Sequence, residues 1–402
     1  MVTENKPKIS LIDFLFVIII SYGIAPIVSR IISSTVTTYA YLAIQIFVLL
    51  FIMAKSKGVS FAKCFGILAP FIIWKILLYF LNGMTVTEWG YELLLDCIPL
   101  LIGYELTFNS RSKLKTYSVI IVLLCTLTII TTIIGSIMVP GAARFLATSP
   151  SASHPKVVEY SWRNIGGYEL TYIIVLLYPV LILAFKRGKI HLFPTLILTV
   201  LIATTIFYTE YTTALLMFII SSLMFFMRRD FGLGGFIIFA VIALILLFTL
   251  SDLIALGLNA LGDLINNDTV SPRLYALAGG RESLEQFEDN RLILYGYSIN
   301  SFFNSPLYGS LFYYTGPISG HSFILDTMAK AGLIGIAVMV AMYVTIYKNF
   351  YARYSTEKGY GFVLWTFFQV IMLSLINTGM WISVLGLYIP VILGGIFSEE
   401  RR

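Results

Sequence analysis

Apolar runs of roughly 17 to 25 residues follow one another along this chain, each long enough to cross a ~30 Å hydrocarbon core as a helix. They lie near 11–33, 38–54, 61–81, 91–108, 117–139, 168–185, 191–208, 211–227, 235–256, 322–347, 361–379 and 381–397. The pattern predicts an all-α, polytopic transmembrane helical bundle of about twelve spans. The ten-residue alternation of a membrane β-barrel is absent. Most polar breaks are short and force neighbouring helices into antiparallel pairs, as at Tyr208-Thr209-Glu210-Tyr211. Two breaks are longer. Pro140–Gly167 contains Ser149-Pro150-Ser151-Ala152-Ser153-His154-Pro155, which stops any helix. Residues 258–320 form a much longer segment, in which 283–300 reads as one or two short amphipathic helices and Asn304-Ser305-Pro306 as a turn. Residues 1–402 are thus one polytopic domain with 258–320 as its large loop.

Composition agrees with this picture. Of 402 residues, 58% are hydrophobic and 12% charged, against about 25% charged in soluble domains. The net charge of +6 comes from an uneven distribution. With a cytoplasmic N-terminus and alternating spans, 18 of the 27 basic residues fall on the cytoplasmic side, among them Lys55, Lys113, Arg187, Arg229 and Arg353. Positive-inside topology explains that excess, and nucleic acid is excluded as its cause. Cys64, Cys97 and Cys125 lie in or beside spans without paired spacing, which makes packing their role. His154, His191 and His321 have no metal-ligand spacing, and no phosphate-cradling glycine loop is present. No metal and no cofactor is expected.

The chemistry gathers at the long loop, which carries Arg273, Arg281 and Arg291 and delivers His321 to the mouth of a span. A guanidinium binds phosphate oxygens bidentately, and an imidazole near neutrality can take a proton from a hydroxyl. Arginines and a histidine at one lipid–water interface suit an anionic, lipid-linked substrate. His321 and Arg291 are the expected catalytic pair. Arg163, in Trp162-Arg163-Asn164-Ile165-Gly166-Gly167, lies on the same side and is expected to bind phosphate, with Arg281, Arg273 and Arg144 behind it. Acidic neighbours of Arg281 and Arg273 make solvated ion pairs their plainer role, and snorkelling is that of Arg144. Glu210 and Asp326 are the expected further acid/base groups, while Asp326 and Lys330, spaced i,i+4, read as an intrahelical pair about 7 and 14 Å below His321. Lys75 and Asp96 fall at similar depth in consecutive spans and read as a structural salt bridge. Glu92 and Glu169 lie near the outer interface, where water can solvate them.

His321-Ser322-Phe323-Ile324-Leu325 followed by Gly332-Leu333-Ile334-Gly335 resembles a pattern of the O-antigen polymerase (Wzy-type) and O-antigen ligase superfamily of bacterial membrane glycosyltransferases. There, His-Asn-x-(Tyr/Phe)-Leu precedes Gly-Leu-x-Gly at the end of a large periplasmic loop. Arg291 with Pro306-Leu307-Tyr308-Gly309 and Arg163 with Gly166 are similar to two further family elements. The chain departs from the family at Ser322, where asparagine is usual, and at Lys330, where an acid is usual. Glu210-Tyr211-Thr212-Thr213-Ala214-Leu215-Leu216 lacks the arginine of a Ser-Arg-Thr-Ala-Leu-like segment, so Arg163 or Arg144 must supply that charge if it binds diphosphate.

The resemblance implies an inverting, metal-independent polymerase at the outer face of the bacterial inner membrane, with both termini cytoplasmic and the active site facing the periplasm. Its partners would be undecaprenyl-diphosphate-linked oligosaccharides as donor and acceptor, membrane lipids, and a chain-length regulator. A ligase that moves finished glycan to lipid A core shares every residue named. A lipid-linked glycan or anion transporter is the reading from another class; it predicts charges along a path through the bundle, for which Lys75, Asp96, Asp326 and Lys330 qualify, but no loop of sixty residues bearing arginines.

Overall fold

The computed structural model describes residues 10–55, 61–82, 86–109, 113–148, 153–265, 271–278, 283–377 and 379–397. These are mostly helical, with no strand among them. In chain order the helices are α1 (Leu11–Ile24), α2 (Pro26–Ile31), α3 (Thr35–Lys55), α4 (Phe61–Asn82), α5 (Val86–Asn109), α6 (Leu114–Met138), α7 (Ala142–Thr148), α8 (Pro155–Trp162) and α9 (Tyr168–Lys186). They continue with α10 (Leu192–Thr209), α11 (Thr212–Ser222), α12 (Leu233–Ile265), α13 (Ser271–Leu277), α14 (Ser283–Asn304), α15 (Phe323–Ile346), α16 (Tyr360–Ile376) and α17 (Ile389–Phe397). Among the described residues, six stretches are long and apolar enough to cross a membrane: α3, the Ala62–Tyr79 part of α4, α6, α9, α10 and the run Phe323–Tyr354.

At the centre stands α9, which is apolar on all sides and buried along most of its length, including Ile173, Val175, Leu176 and Leu183. A helix without a polar face belongs inside a bundle. Its neighbour α10 instead leaves Phe193, Leu196, Ile197 and Val200 exposed on its outer face. Antiparallel connections are tight, as expected. Glu210 closes α10 in the left-handed conformation (φ 59°) and Tyr211 leads directly into α11.

Several expectations change. The run 11–33 is two helices, because Pro26 has no N–H to continue the ladder and Ala25 turns extended before it. The long segment does not open at 258: α12 continues to Ile265, and α13 folds back on its end through Ser271 Oγ to Gly262 O (2.7 Å) and Tyr275 Oη to Asp263 Oδ1 (2.7 Å). Residues 283–304 form one helix, α14.

The largest correction concerns α15, which is not one straight rod. Gly332 has φ 58° and ψ −147°, far from helical values, and splits α15 into an arm, Phe323–Ala331, and a longer shaft. The broken ladder is repaired from outside. Ser310 N–H donates to the carbonyls of Ala329 (3.1 Å) and Lys330 (3.0 Å), and Leu333 N–H donates to Pro306 O (2.8 Å). The two glycine motifs meet here: a Cβ on Gly332 would stand 2.5 Å from Leu307 C, and one on Gly309 (φ 58°) would stand 2.4 Å from Ala329 O. Only glycine allows both the left-handed turn and that backbone contact. The break turns the arm back, so that Phe323 and Met342 line one cavity; nineteen residues of straight helix would hold them about 28 Å apart. The departure begins at Gly332 and concerns the residues beyond it; Asp326 and Lys330 both lie on the arm, before the break.

Candidate functional site at the end of the bundle

His321 lies where the arm begins, and its position is fixed by a buried carboxylate. Asp326 accepts hydrogen bonds from Ser298 Oγ (2.7 Å) and Ser319 Oγ (2.5 Å) on one oxygen and from Ser322 N–H (3.2 Å) on the other. Ser319 Oγ in turn accepts from His321 N–H (3.1 Å), and Ser319 N–H donates to Ser298 Oγ (2.9 Å). Ser322 caps the arm through Leu325 N–H (3.1 Å). The usual asparagine is not needed for that cap, since a serine hydroxyl accepts as well. Asp326 thus ties α14, the approach to His321 and the arm together. The expected Asp326–Lys330 pair does not form: the carboxylate is engaged by hydroxyl and amide donors from segments distant in sequence. Asp326 is 5% exposed, and its bonds hold the approach to His321 in place.

The His321 side chain is exposed and, among the described residues, no hydrogen bond reaches its imidazole. It borders a cavity of about 560 Å³. One wall is the joint between α1 and α2, with Tyr22, Pro26 and Ser29; a second is the α8–α9 connection, with Ser161, Ile165, Gly167, Tyr168 and Glu169; Gly320, His321 and Asn377 close it. The first two walls are held together by Asn164, in the left-handed conformation (φ 55°). Its Oδ1 accepts from Ile27 N–H (3.3 Å), its Nδ2 donates to Thr131 Oγ1 (3.1 Å), and its carbonyl accepts from Thr131 Oγ1 (2.8 Å). Gly166 N–H donates to Thr132 Oγ1 (2.8 Å), so of the two glycines only Gly167 faces the cavity.

A second cavity, of about 280 Å³, backs onto the first. The segment His321–Phe323 gives His321 to one and Phe323 to the other. The stretch after α16 gives Asn377 to one and Met380 and Trp381 to the other. Phe323 N–H donates to Asn377 O (2.8 Å) and joins these two segments into one partition. The second cavity holds the expected salt bridge, Lys75 Nζ to Asp96 Oδ2 at 2.8 Å.

The chain matches no family model and no curated protein.

The sequence candidates are divided by this geometry. Arg144, on α7, lies over the ring of Tyr211 at 5.3 Å. Tyr211 meets Tyr168 edge-on (5.7 Å), and Tyr168 lines the His321 cavity, as does Leu146 of α7. Arg144 is therefore separated from the cavity by two rings, Tyr211 and Tyr168, at the head of α11. Arg163 is exposed on the C-cap of α8, in an i,i+4 ion pair with Glu159 (2.7 Å), and does not line the cavity. Glu210 also stands off it. Arg291 lies on α14 one turn before Tyr295, whose Oη donates to Ile376 O (3.0 Å) at the end of α16. The side chains of Arg291 and Arg273, and the whole of Arg281, fall outside the described residues; so does the side chain of Glu92. Reasoning from sequence left Glu169 and Asn377 out of the site. Glu169 looked like a solvated acid at the start of a helix, and Asn377 carried no signal beyond its place at the end of a span.

Proposed function

We propose that this protein is a membrane glycosyltransferase that polymerises undecaprenyl-diphosphate-linked repeat units at the outer face of a bacterial inner membrane. In this reading the twelve apolar runs are spans, both termini are cytoplasmic, and residues 258–320 with the His321 cavity face the periplasm. The observation that carries it is the unbonded His321 imidazole, clamped by its backbone at the rim of a cavity and offered to a ligand. The motif resemblance supports the same reaction class. Arg144 adds to it, because it brings a guanidinium to the head of α11, where the related segment carries an arginine and this chain has none. Arg144 and Arg291 meet the charge that develops on the leaving diphosphate, His321 holds the attacking hydroxyl, and the cavity aligns acceptor with donor. Attack on the anomeric carbon opposite the diphosphate inverts its configuration.

The test is deletion of the gene in its host, followed by electrophoresis of surface glycans. A ladder that collapses to one repeat unit, restored by the wild-type chain and not by His321→Ala, is the expected result. Long chains stranded on the lipid carrier would reassign the protein as a ligase. An unchanged ladder would overturn the enzyme reading in favour of a transporter.

A further inference from the structure

The His321 cavity is short of positive charge. Its described lining includes Glu169 and neither lysine nor arginine. A pocket for a diphosphate gathers cations and N–H donors, and a carboxylate in its wall would repel the ligand. We propose that this cavity takes the hydroxyl-bearing acceptor sugar rather than the lipid diphosphate, and that Glu169 accepts the proton of the attacking hydroxyl. This rests on the glycosyltransferase reading and deepens it.

Three side chains define the chemistry. Glu169, in the first turn of α9, is exposed to the cavity and receives no hydrogen bond or ion pair from the described residues. Asn377 is 7% exposed, and its Nδ2 has no hydrogen-bond partner although it is buried. Its backbone is fixed at both ends of the peptide, by Asn377 N–H to Leu373 O (2.8 Å) and by Phe323 N–H to Asn377 O (2.8 Å). An unanswered buried donor costs about 1–3 kcal/mol, and a ligand oxygen in the cavity removes that penalty. His321 is the third. A sugar hydroxyl both donates and accepts, so it fits a wall that presents one carboxylate, one amide N–H and one imidazole. The diphosphate falls to the Arg144 side, across Tyr168 and Tyr211. Charge thus sorts two substrates that would otherwise look alike.

The step balances without any further reagent. The acceptor oxygen forms its bond to the anomeric carbon as its proton passes to the Glu169 carboxylate. The bond from that carbon to the diphosphate oxygen breaks, and its electron pair leaves on the diphosphate. Glu169 then returns the proton to water.

The test uses membranes from deletion cells that carry the full chain or a variant, with the amount of each measured by immunoblot. They are supplied with the single-repeat lipid that the deletion strain accumulates. Glu169→Gln, nearly isosteric, should lower polymerisation about a hundredfold or more at an unchanged amount of protein, and Glu169→Asp should retain a part of it. Glu169→Ala should be equally slow, and sodium formate should restore it in a dose-dependent way by placing a carboxylate where the side chain was. Formate should not restore Glu169→Gln, whose amide still fills the space. Asn377→Ala should raise the acceptor concentration needed for half-maximal rate more than it lowers the maximal rate. Full activity in Glu169→Gln, with His321→Ala inactive, would overturn this inference and leave the enzyme reading standing. An alanine variant that formate leaves unchanged would overturn the role of the carboxylate as base. Full activity in His321→Ala would instead remove the glycosyltransferase reading itself.

Discussion

The two cavities that share the His321–Phe323 partition differ in how their charges are answered. On one side Lys75 and Asp96 close on each other at 2.8 Å among Trp74, Phe323 and Trp381. On the other, Glu169, His321 and the Asn377 amide face open space with no mutual bond. Ionised groups in apolar surroundings are stable when paired. The two charges on the Lys75–Asp96 side answer each other, whereas Glu169 has no such partner among the described residues. Substitutions in the open cavity should therefore remove activity and spare the protein, and those around the closed pair should do the reverse.

The strongest test of that contrast is His321→Ala, which should abolish polymer in whole cells while immunoblots show the wild-type amount. A variant missing from the membrane would break the contrast at its active side. Next comes Gly332→Ala at the joint that shapes both cavities. A left-handed alanine pressed against Leu307 should cost about 2 kcal/mol or more, read as a sharp fall in membrane-inserted protein and early loss in a detergent melt. Lys75→Met alone should lower the amount several-fold, because it strands Asp96, and Lys75→Met with Asp96→Leu should recover most of it; a double variant that is stable but inactive would assign this cavity to the chemistry. The smallest effect belongs to Arg163→Ala. An exposed i,i+4 pair is worth under about 0.5 kcal/mol, so polymer yield should change by less than about twofold. A large loss there would return Arg163 to diphosphate binding and move the site outward.

What the sequence shows and what it hides follow the range of the interactions. Each apolar run is helical because an apolar helix of this length is determined by its own twenty or so residues. The Lys75–Asp96 pair was also visible, since two opposite charges in consecutive apolar runs have few other partners. The joint at Gly332 was hidden: Ala331-Gly332-Leu333-Ile334-Gly335 is a normal apolar helix segment until Pro306–Ser310, more than twenty residues upstream, supplies the carbonyl and N–H that break it. The error at Asp326 has the same origin. Local spacing favours Lys330, but Ser298 and Ser319 arrive from the loop. Glu169 and Asn377 were unmarked because neither differs from an ordinary helix-end residue until the cavity around it is seen. The glycine motifs behind the resemblance prove to be parts of a joint, beside the cavity that His321 borders.

That joint gives the arm the character of a lever. Phe323, two residues from the histidine, lies nine residues from Gly332, about 14 Å along the helix. A swing of only 10° about Gly332 would carry it through about 2.5 Å, several times the ~0.5 Å within which reacting groups must be held. The Asp326 clamp grips the arm near its free end, where a given restoring force exerts the greatest torque and the least angular play remains. Three serine-derived hydrogen-bonding groups on one carboxylate thereby set the aim of a side chain that none of them touches.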